Sequence, residues 1–122
     1  MHLKEYQQKS LRTMNVESSK MEQIHNMVFG IVGETGEVVD ILKKHIYQGH
    51  DLYKEDLSEE IGDVMFYVVN LCNLLDLDLE TIIEGNYNKL LLRYPEGFDK
   101  QKSINRGQKK WWKERDLKKE IK

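Results

Sequence analysis

Proline is almost absent from this chain, since Pro95 is the only one among its 122 residues. Sheet-rich domains need many tight turns, and turns recruit proline, glycine, asparagine and aspartate. Several of the eight glycines lie inside stretches whose apolar residues recur at helical spacing, rather than between such stretches. The sequence therefore predicts an all-α fold built from long helices.

Four segments carry this helical spacing and are joined by short polar links. We expect helices over residues 3–14, 20–45, 55–75 and 79–94. Ser18 or Ser19 is suited to cap the second helix, and Asp78 is suited to cap the fourth. Long helices joined by short links favour an antiparallel four-helix bundle.

Charge is divided unevenly along the chain. Residues 1–99 hold 9 basic and 18 acidic side chains, whereas residues 100–122 hold 10 and 3. We therefore expect an acidic body followed by a basic C-terminal tail, with a further helix over residues 108–121.

Composition excludes several classes of protein. The longest apolar-rich stretch, residues 64–75, is interrupted by Asn70 and Asn73 and is shorter than the roughly 20 residues of a membrane span. Cys72 is the only cysteine, which excludes a disulfide scaffold. The polar opening, Met1–Glu5, is not followed by the apolar region of a secretory signal, so we expect a cytoplasmic location and no membrane partner.

Self-association is indicated by the second helix. Apolar residues make up 39% of the chain, which gives a thin core to a lone monomer. Besides its main apolar stripe, this helix carries a second apolar row, made of Phe29, Val32, Val39 and Ile46. We expect it to pack against another copy in a homodimer or homotetramer.

Paired carboxylates mark the second and third helices. Glu34 and Glu37 are three residues apart, as are Glu60 and Asp63. Three residues turn a helix by about 300°, so the members of each pair share one face. Apolar residues flank both pairs, and a carboxylate in such surroundings needs a cation or a proton. We therefore expect partly buried carboxylates with such a partner.

The two pairs lie at equal distances from the predicted turn at Gln48–Gly49. In an antiparallel hairpin they therefore face each other. Four carboxylates without a cysteine are ligands for a hard divalent cation, which predicts a Mg²⁺ or Mn²⁺ site. Four glycines near these pairs, Gly30, Gly33, Gly36 and Gly62, predict close approach by a helix or a ligand, because each costs about 1 kcal/mol relative to alanine inside a helix.

A polar face is predicted on the fourth helix. Asn86, Lys89 and Arg93 are spaced three and four residues apart, so they share one side of it. Beside a metal and its carboxylates, such a face is suited to bind polyphosphate.

The order and spacing of these motifs resemble those of a known family. Glu34–Glu37 and Glu60–Asp63, separated by 22 residues, resemble the ExxE…ExxD signature of the MazG-like, all-α nucleotide pyrophosphohydrolases. Asn86–Phe98 is similar to the segment after that family's third core helix, and Ser103–Arg106 to a short motif that often follows. The resemblance covers about residues 20–106, which implies one domain over residues 1–106, followed by the basic tail over residues 107–122. It implies Mg²⁺-dependent hydrolysis of a (deoxy)nucleoside triphosphate to the monophosphate and pyrophosphate, as in clearance of unwanted nucleotides.

Catalytic roles follow from the resemblance. The four carboxylates would hold the metal, and either Glu34 or Glu37 would also accept a proton from the water that attacks the α-phosphate.

Binding roles follow in the same way. Lys89 and Arg93 would hold the β- and γ-phosphates, and Asn86 a phosphate or a coordinated water. Lys44 is a further phosphate candidate, and Tyr67 is a candidate for the sugar site. The resemblance leaves the preferred base open.

Other interpretations remain. His25 or Phe29 is suited to stack on a base, and the Trp111–Trp112 pair to dock on a neighbouring subunit, with nucleic-acid stacking less favoured in so short a tail. A di-iron bundle needs Glu-x-x-His twice, and the chain offers it once, at Glu22–His25. A non-enzymatic alternative is a helical interaction protein whose basic tail binds nucleic acid.

Overall fold

The computed structural model describes residues 1–108, which form helices without any β-strand. These residues belong to two compact units, one of residues 1–82 and one that begins at Ile83. None of the described helices is long and apolar enough to cross a membrane. The all-α prediction is confirmed, whereas the packing of four helices into one bundle stays a prediction.

The first unit holds three complete helices and the start of a fourth. Helix α1 spans Leu3–Lys9 and continues as a 3₁₀ turn over Ser10–Thr13, α2 spans Lys20–Gln48, α3 spans Lys54–Leu74, and α4 begins at Leu79 and ends at Arg93. The expected caps are present. The Ser19 hydroxyl accepts the Glu22 backbone N–H at 3.2 Å, and the Asp78 carboxylate accepts that of Thr81 at 3.2 Å. Gly49 caps the C-terminus of α2, and its φ of 72° favours glycine.

Helices α2 and α3 pack as an antiparallel hairpin, as the sequence predicts. Glu34 lies beside Glu60 and Asp63, and one turn further from the connection Gly30 faces Tyr67. A Cβ added to Gly30 would overlap with the Tyr67 ring, so the glycine lets the two helices approach closely here. The expectation of close approach is thus confirmed for Gly30. Gly33, Gly36 and Gly62 have open space instead.

Helix α1 is tied to the hairpin by a buried polar side chain. The Gln7 amide donates to Asn73 Oδ1 at 3.0 Å and to the Leu77 carbonyl at 2.9 Å, and its Oε1 accepts the Leu79 backbone N–H at 3.0 Å. Tyr6 and Leu3 pack beside it, against the small core of Val69, Cys72 and Leu79. These contacts fix α1 against the end of α3.

The second unit contains the rest of α4 and helix α5, Lys100–Gln108. Between them, Gly97 has a φ of 94°, which favours glycine. Asp99 caps α5, since its carboxylate accepts the Lys102 backbone N–H at 2.9 Å. Helix α5 was not predicted, and the helix predicted over residues 108–121 falls almost wholly beyond the described residues.

Candidate functional site

Three carboxylates from the two hairpin helices converge. Glu34 from α2 and Glu60 and Asp63 from α3 each place one oxygen so that these atoms lie within 4.8 Å of one another. Glu34 and Glu60 are half-buried, whereas Asp63 is exposed. The helix spacing that put each pair on one face, together with the antiparallel hairpin, accounts for this convergence.

The chemistry of this acidic cluster, Glu34, Glu60 and Asp63, fits a divalent cation. Oε2 of Glu60 is buried and has no hydrogen-bond partner among the described residues. A buried carboxylate oxygen without a partner is costly, and a cation between the carboxylates would satisfy it. An all-oxygen donor set suits Mg²⁺ or Mn²⁺.

Mutual repulsion perturbs the acidic cluster when no cation is bound. Hydrogen bonding to Glu34 and burial raise the pKa of Glu60 from 4.5 to about 7, with Asp63 and Glu37 adding electrostatic repulsion. The Glu60 carboxyl therefore tends to hold a proton, and a divalent cation would compete for the same place.

Glu37 differs from the other three predicted ligands. It lies one turn after Glu34 on α2, is exposed, and is not among the converging carboxylates. Its charge nevertheless reaches Glu60, whose pKa it helps to raise. The structure thus brings three of the four predicted ligands together and leaves Glu37 beside them.

Lys44 is engaged on its own helix. Its ammonium group lies 2.7 Å from the Asp40 carboxylate, and Lys43 lies 3.7 Å from the same side chain. The hydrogen bond between Lys44 and Asp40 lowers the pKa of Asp40 and raises that of Lys44. A phosphate would have to compete with Asp40 for Lys44, whose phosphate role stays a prediction.

A cavity of about 530 Å³ opens beside the acidic cluster. Its size falls within the roughly 300–1,000 Å³ of small-molecule sites. Glu34 and Asp63 line it, together with further residues from the same unit, Tyr6, Thr13, Gly62, Phe66 and Tyr67. The rings of Phe66 and Tyr67 meet edge to face, with centroids 5.3 Å apart. The cavity thus joins carboxylates to aromatic surface.

Sequence reasoning proposed Tyr67 but missed three lining residues, Tyr6, Thr13 and Phe66. Phe66 lies three residues after Asp63, so helical spacing alone would have placed it on the same side of α3. Tyr6 and Thr13 carried no such signal, because their approach to the cavity depends on the packing of α1 and the 3₁₀ turn against α3.

The other candidates on α2 do not line this cavity. His25 and Phe29 are exposed and stack on each other, with ring centroids 5.9 Å apart. Glu22 accepts a hydrogen bond from the Ser19 hydroxyl at 3.1 Å. Neither Glu22 nor His25 joins a group of potential metal ligands in the described part of the chain.

The predicted phosphate-binding face lies on the part of α4 that belongs to the second unit. Asn86 and Lys89 are exposed, and Arg93 is half-buried. That these three side chains lie near the acidic cluster stays a prediction. Trp111 and Trp112 fall outside the described residues.

Comparison with known proteins identifies the family. The family model described as the MazG nucleotide pyrophosphohydrolase domain matches residues 22–98. The chain belongs to the MazG family. The Gene 37 protein of Mycobacterium phage L5 is 36% identical over 90 residues, which cover 70% of this chain and 79% of that protein. No solved structure matches the chain significantly.

The MazG match divides the candidate residues into two groups. All four carboxylates lie within residues 22–98, as do Lys44, Tyr67 and the predicted phosphate-binding face of α4. Tyr6 and Thr13 precede the match, and α5 follows it. The MazG core therefore supplies the acidic cluster, while chain outside it adds one wall of the cavity.

Without a divalent cation, the stability of this MazG protein should fall as the pH rises from about 4.5 to about 7. In this window the folded chain holds a proton on Glu60 that the unfolded chain has already lost, so folding takes up a proton and a rising pH opposes it. Thermal unfolding in EDTA across this range measures the slope.

Glu60→Gln is the control, because it cannot ionise and should unfold with a shallower pH dependence. Excess Mg²⁺ should raise the stability of the wild-type protein, and most strongly at the upper end of this pH range. Equal slopes for wild type and Glu60→Gln in EDTA would show that Glu60 has an ordinary pKa.

Proposed function

We propose that this MazG protein hydrolyses a (deoxy)nucleoside triphosphate between the α- and β-phosphates, releasing the monophosphate and pyrophosphate. The observation that carries the proposal is the acidic cluster, in which one Glu60 oxygen has no hydrogen-bond partner among residues 1–108, next to a cavity of about 530 Å³. Removal of unwanted nucleotides in the cytoplasm is the accompanying proposal for its role, and the free, buried Cys72 fits such a reducing compartment.

Glu34, Glu60 and Asp63 are the ligands we propose for Mg²⁺ or Mn²⁺, with Glu37 as the fourth. Bound there, the cation would neutralise triphosphate charge and favour ionisation of the attacking water. Half-burial of Glu34 and Glu60 strengthens their attraction for it, because water screens charge less in such surroundings.

Glu34 or Glu37 accepts the proton as water oxygen bonds to the α-phosphorus and the bond to the bridging oxygen breaks. Exposed Glu37 can pass that proton on to solvent. The variants Glu34→Gln and Glu37→Gln distinguish the two candidate bases. Loss of the base removes the acidic limb of the pH–rate profile at saturating metal.

Lys89 and Arg93 then stabilise the departing pyrophosphate, with Asn86 as a hydrogen-bond donor to it.

The cavity beside the acidic cluster is the proposed nucleoside site. Tyr67, Phe66 and Tyr6 offer aromatic surface for a sugar or base, and Thr13 offers a hydroxyl that can donate and accept hydrogen bonds. Since Tyr6 and Thr13 lie outside the MazG match, they are the residues by which this chain would differ from relatives in base preference.

Gly62→Ala should raise KM for the nucleotide about tenfold while leaving the protein as stable or more stable. A Cβ at Gly62 meets no atom within 4 Å, so the fold accommodates it. Because Gly62 lines the cavity, the added methyl group would reduce the space for the nucleotide there. Steady-state kinetics and thermal unfolding measure the two effects. Gly85→Ala on α4 is the control, with equally open space outside the cavity, and an unchanged KM for Gly62→Ala would place the nucleoside elsewhere.

Pyrophosphate release from a panel of canonical and modified (d)NTPs tests the proposed reaction, in Mg²⁺ and in EDTA. We expect release in Mg²⁺ with formation of the monophosphate, and none in EDTA. A folded protein that releases no pyrophosphate from any nucleotide in Mg²⁺ would contradict the proposal and favour the interaction protein with a nucleic-acid-binding tail.

A second copy of the chain is the partner we propose for the exposed apolar row of α2. Phe29, Val32, Val39 and Ile46 are each more than half exposed, and they form one long stripe. Light scattering should give the mass of at least two chains, and Val32→Glu should lower it. Val16→Glu, at an exposed position outside the helices, is the control, and a monomeric wild type would contradict the proposal.

A further inference from the structure

A second cavity, of about 340 Å³, lies within the second unit. It is lined by Arg93 at the end of α4 and by Lys102, Asn105 and Arg106 of α5. The three α5 residues are spaced three and four apart, so they present one face of the helix. Two consecutive helices therefore direct three cations and one amide at the same space.

The described residues of the second unit, 83–108, include acidic side chains that could pair with these cations. Among the described residues of the second unit, no carboxylate forms an ion pair with Arg93, Lys102 or Arg106. Like charges repel when they line one cavity, and Arg93 is also half-buried. An arrangement of this kind is stabilised by an anion that enters between the charges.

The amide adds a donor to this cationic cavity. Gln101 Nε2 donates to Asn105 Oδ1 at 3.1 Å, which occupies the oxygen of the Asn105 amide and leaves its NH₂ group available. Guanidinium, ammonium and amide groups all donate, and phosphate oxygens only need to accept.

We propose that this cavity binds a polyphosphate group of the pyrophosphate class, with Lys102, Asn105 and Arg106 as ligands beside Arg93. Three cations match a multiply charged anion better than a single carboxylate. The lining contains no aromatic ring on which a nucleic-acid base could stack, and it is a single cavity, not an extended stripe. The inference rests on the proposed function only for the source of the anion, namely the triphosphate or its pyrophosphate product.

Pyrophosphate binding to the full-length protein, measured by calorimetry in EDTA, tests this inference without any turnover. We expect wild type to bind pyrophosphate more tightly than inorganic phosphate. The double variant Lys102→Gln, Arg106→Gln should weaken pyrophosphate binding at least about tenfold. Lys100→Gln removes a charge from the same helix outside the cavity and should change binding less than about twofold.

Three results would overturn the inference: wild type fails to bind pyrophosphate, the control weakens binding as much as the double variant, or a single-stranded oligonucleotide binds this surface in preference. Circular dichroism of each variant excludes unfolding as the cause of a loss. If the proposed hydrolysis does not occur, pyrophosphate binding would still be measurable. If the cavity does not bind pyrophosphate, Mg²⁺-dependent turnover would still be measurable, so the two outcomes are distinguishable.

Discussion

Glu60→Gln should lower kcat by about 10³-fold at saturating Mg²⁺ and nucleotide. The substitution keeps the shape of the side chain but removes the charge that shares the acidic cluster with Glu34 and Asp63. It also removes the carboxyl group whose pKa is raised by hydrogen bonding to Glu34, by burial and by the neighbouring carboxylates, so the folded protein should become no less stable in EDTA. Loss of activity together with retained stability separates a functional residue from a structural one.

Glu59→Gln provides the matched control for this experiment. Glu59 is the adjacent residue on α3, is exposed, and lies outside the acidic cluster. Its variant should keep activity within about twofold of wild type, since one exposed charge contributes little. Steady-state rates over a range of Mg²⁺ concentrations measure both variants. Equal losses, or a Glu60→Gln enzyme with wild-type kcat, would show that the cluster does not hold the metal.

Gly30→Ala should lower the free energy of unfolding by about 1–2 kcal/mol, although alanine is the better helix former. The added Cβ would overlap with the Tyr67 ring, so α2 and α3 would have to separate or the ring would have to turn. The same substitution at Gly62, where space is open, should instead raise stability by up to about 1 kcal/mol. Urea unfolding of the two variants tests this opposite sign.

A double-mutant cycle identifies the cause of the Gly30 effect. In a Tyr67→Ala background, Gly30→Ala should lower the free energy of unfolding by at least about 0.5 kcal/mol less than it does in wild type, because the ring that the Cβ would overlap is gone. Additive effects of the two substitutions would show that the Tyr67 ring does not set the distance between the helices at this point.

Local signals were sufficient for the hairpin that carries the site. Helical spacing placed α2 and α3 within a few residues of their bounds, and Ser19 caps α2 as expected. Their antiparallel packing then decided which carboxylates meet, because residues equally distant from the turn lie opposite each other. Glu34, Glu60 and Asp63 converge for that reason.

Long-range packing decided what the sequence did not reveal. The Gln7 and Asn73 amides hold α1 in place through partly buried hydrogen bonds. The spacing of apolar residues gives no signal for a polar side chain that packs in this way. The cavity wall formed by Tyr6 depends on that anchor. Glu37 stays exposed although it shares a face with Glu34, because spacing alone does not give the line along which two helices touch.

Helix α5 was missed for a related reason. Ile104 is the only large apolar residue in it, so it has no apolar period, and its start depends on the Asp99 cap. A cap is a weak signal without such a period.

Hydrolysis in ¹⁸O-labelled water, with Mg²⁺ and a nucleoside triphosphate that the protein turns over, tests the central claim most directly. Mass spectrometry or phosphorus NMR of the products locates the label. Attack at the α-phosphorus predicts one ¹⁸O atom in the nucleoside monophosphate and none in the pyrophosphate. Label in pyrophosphate or in free phosphate, with unlabelled nucleotide product, would contradict the proposed reaction.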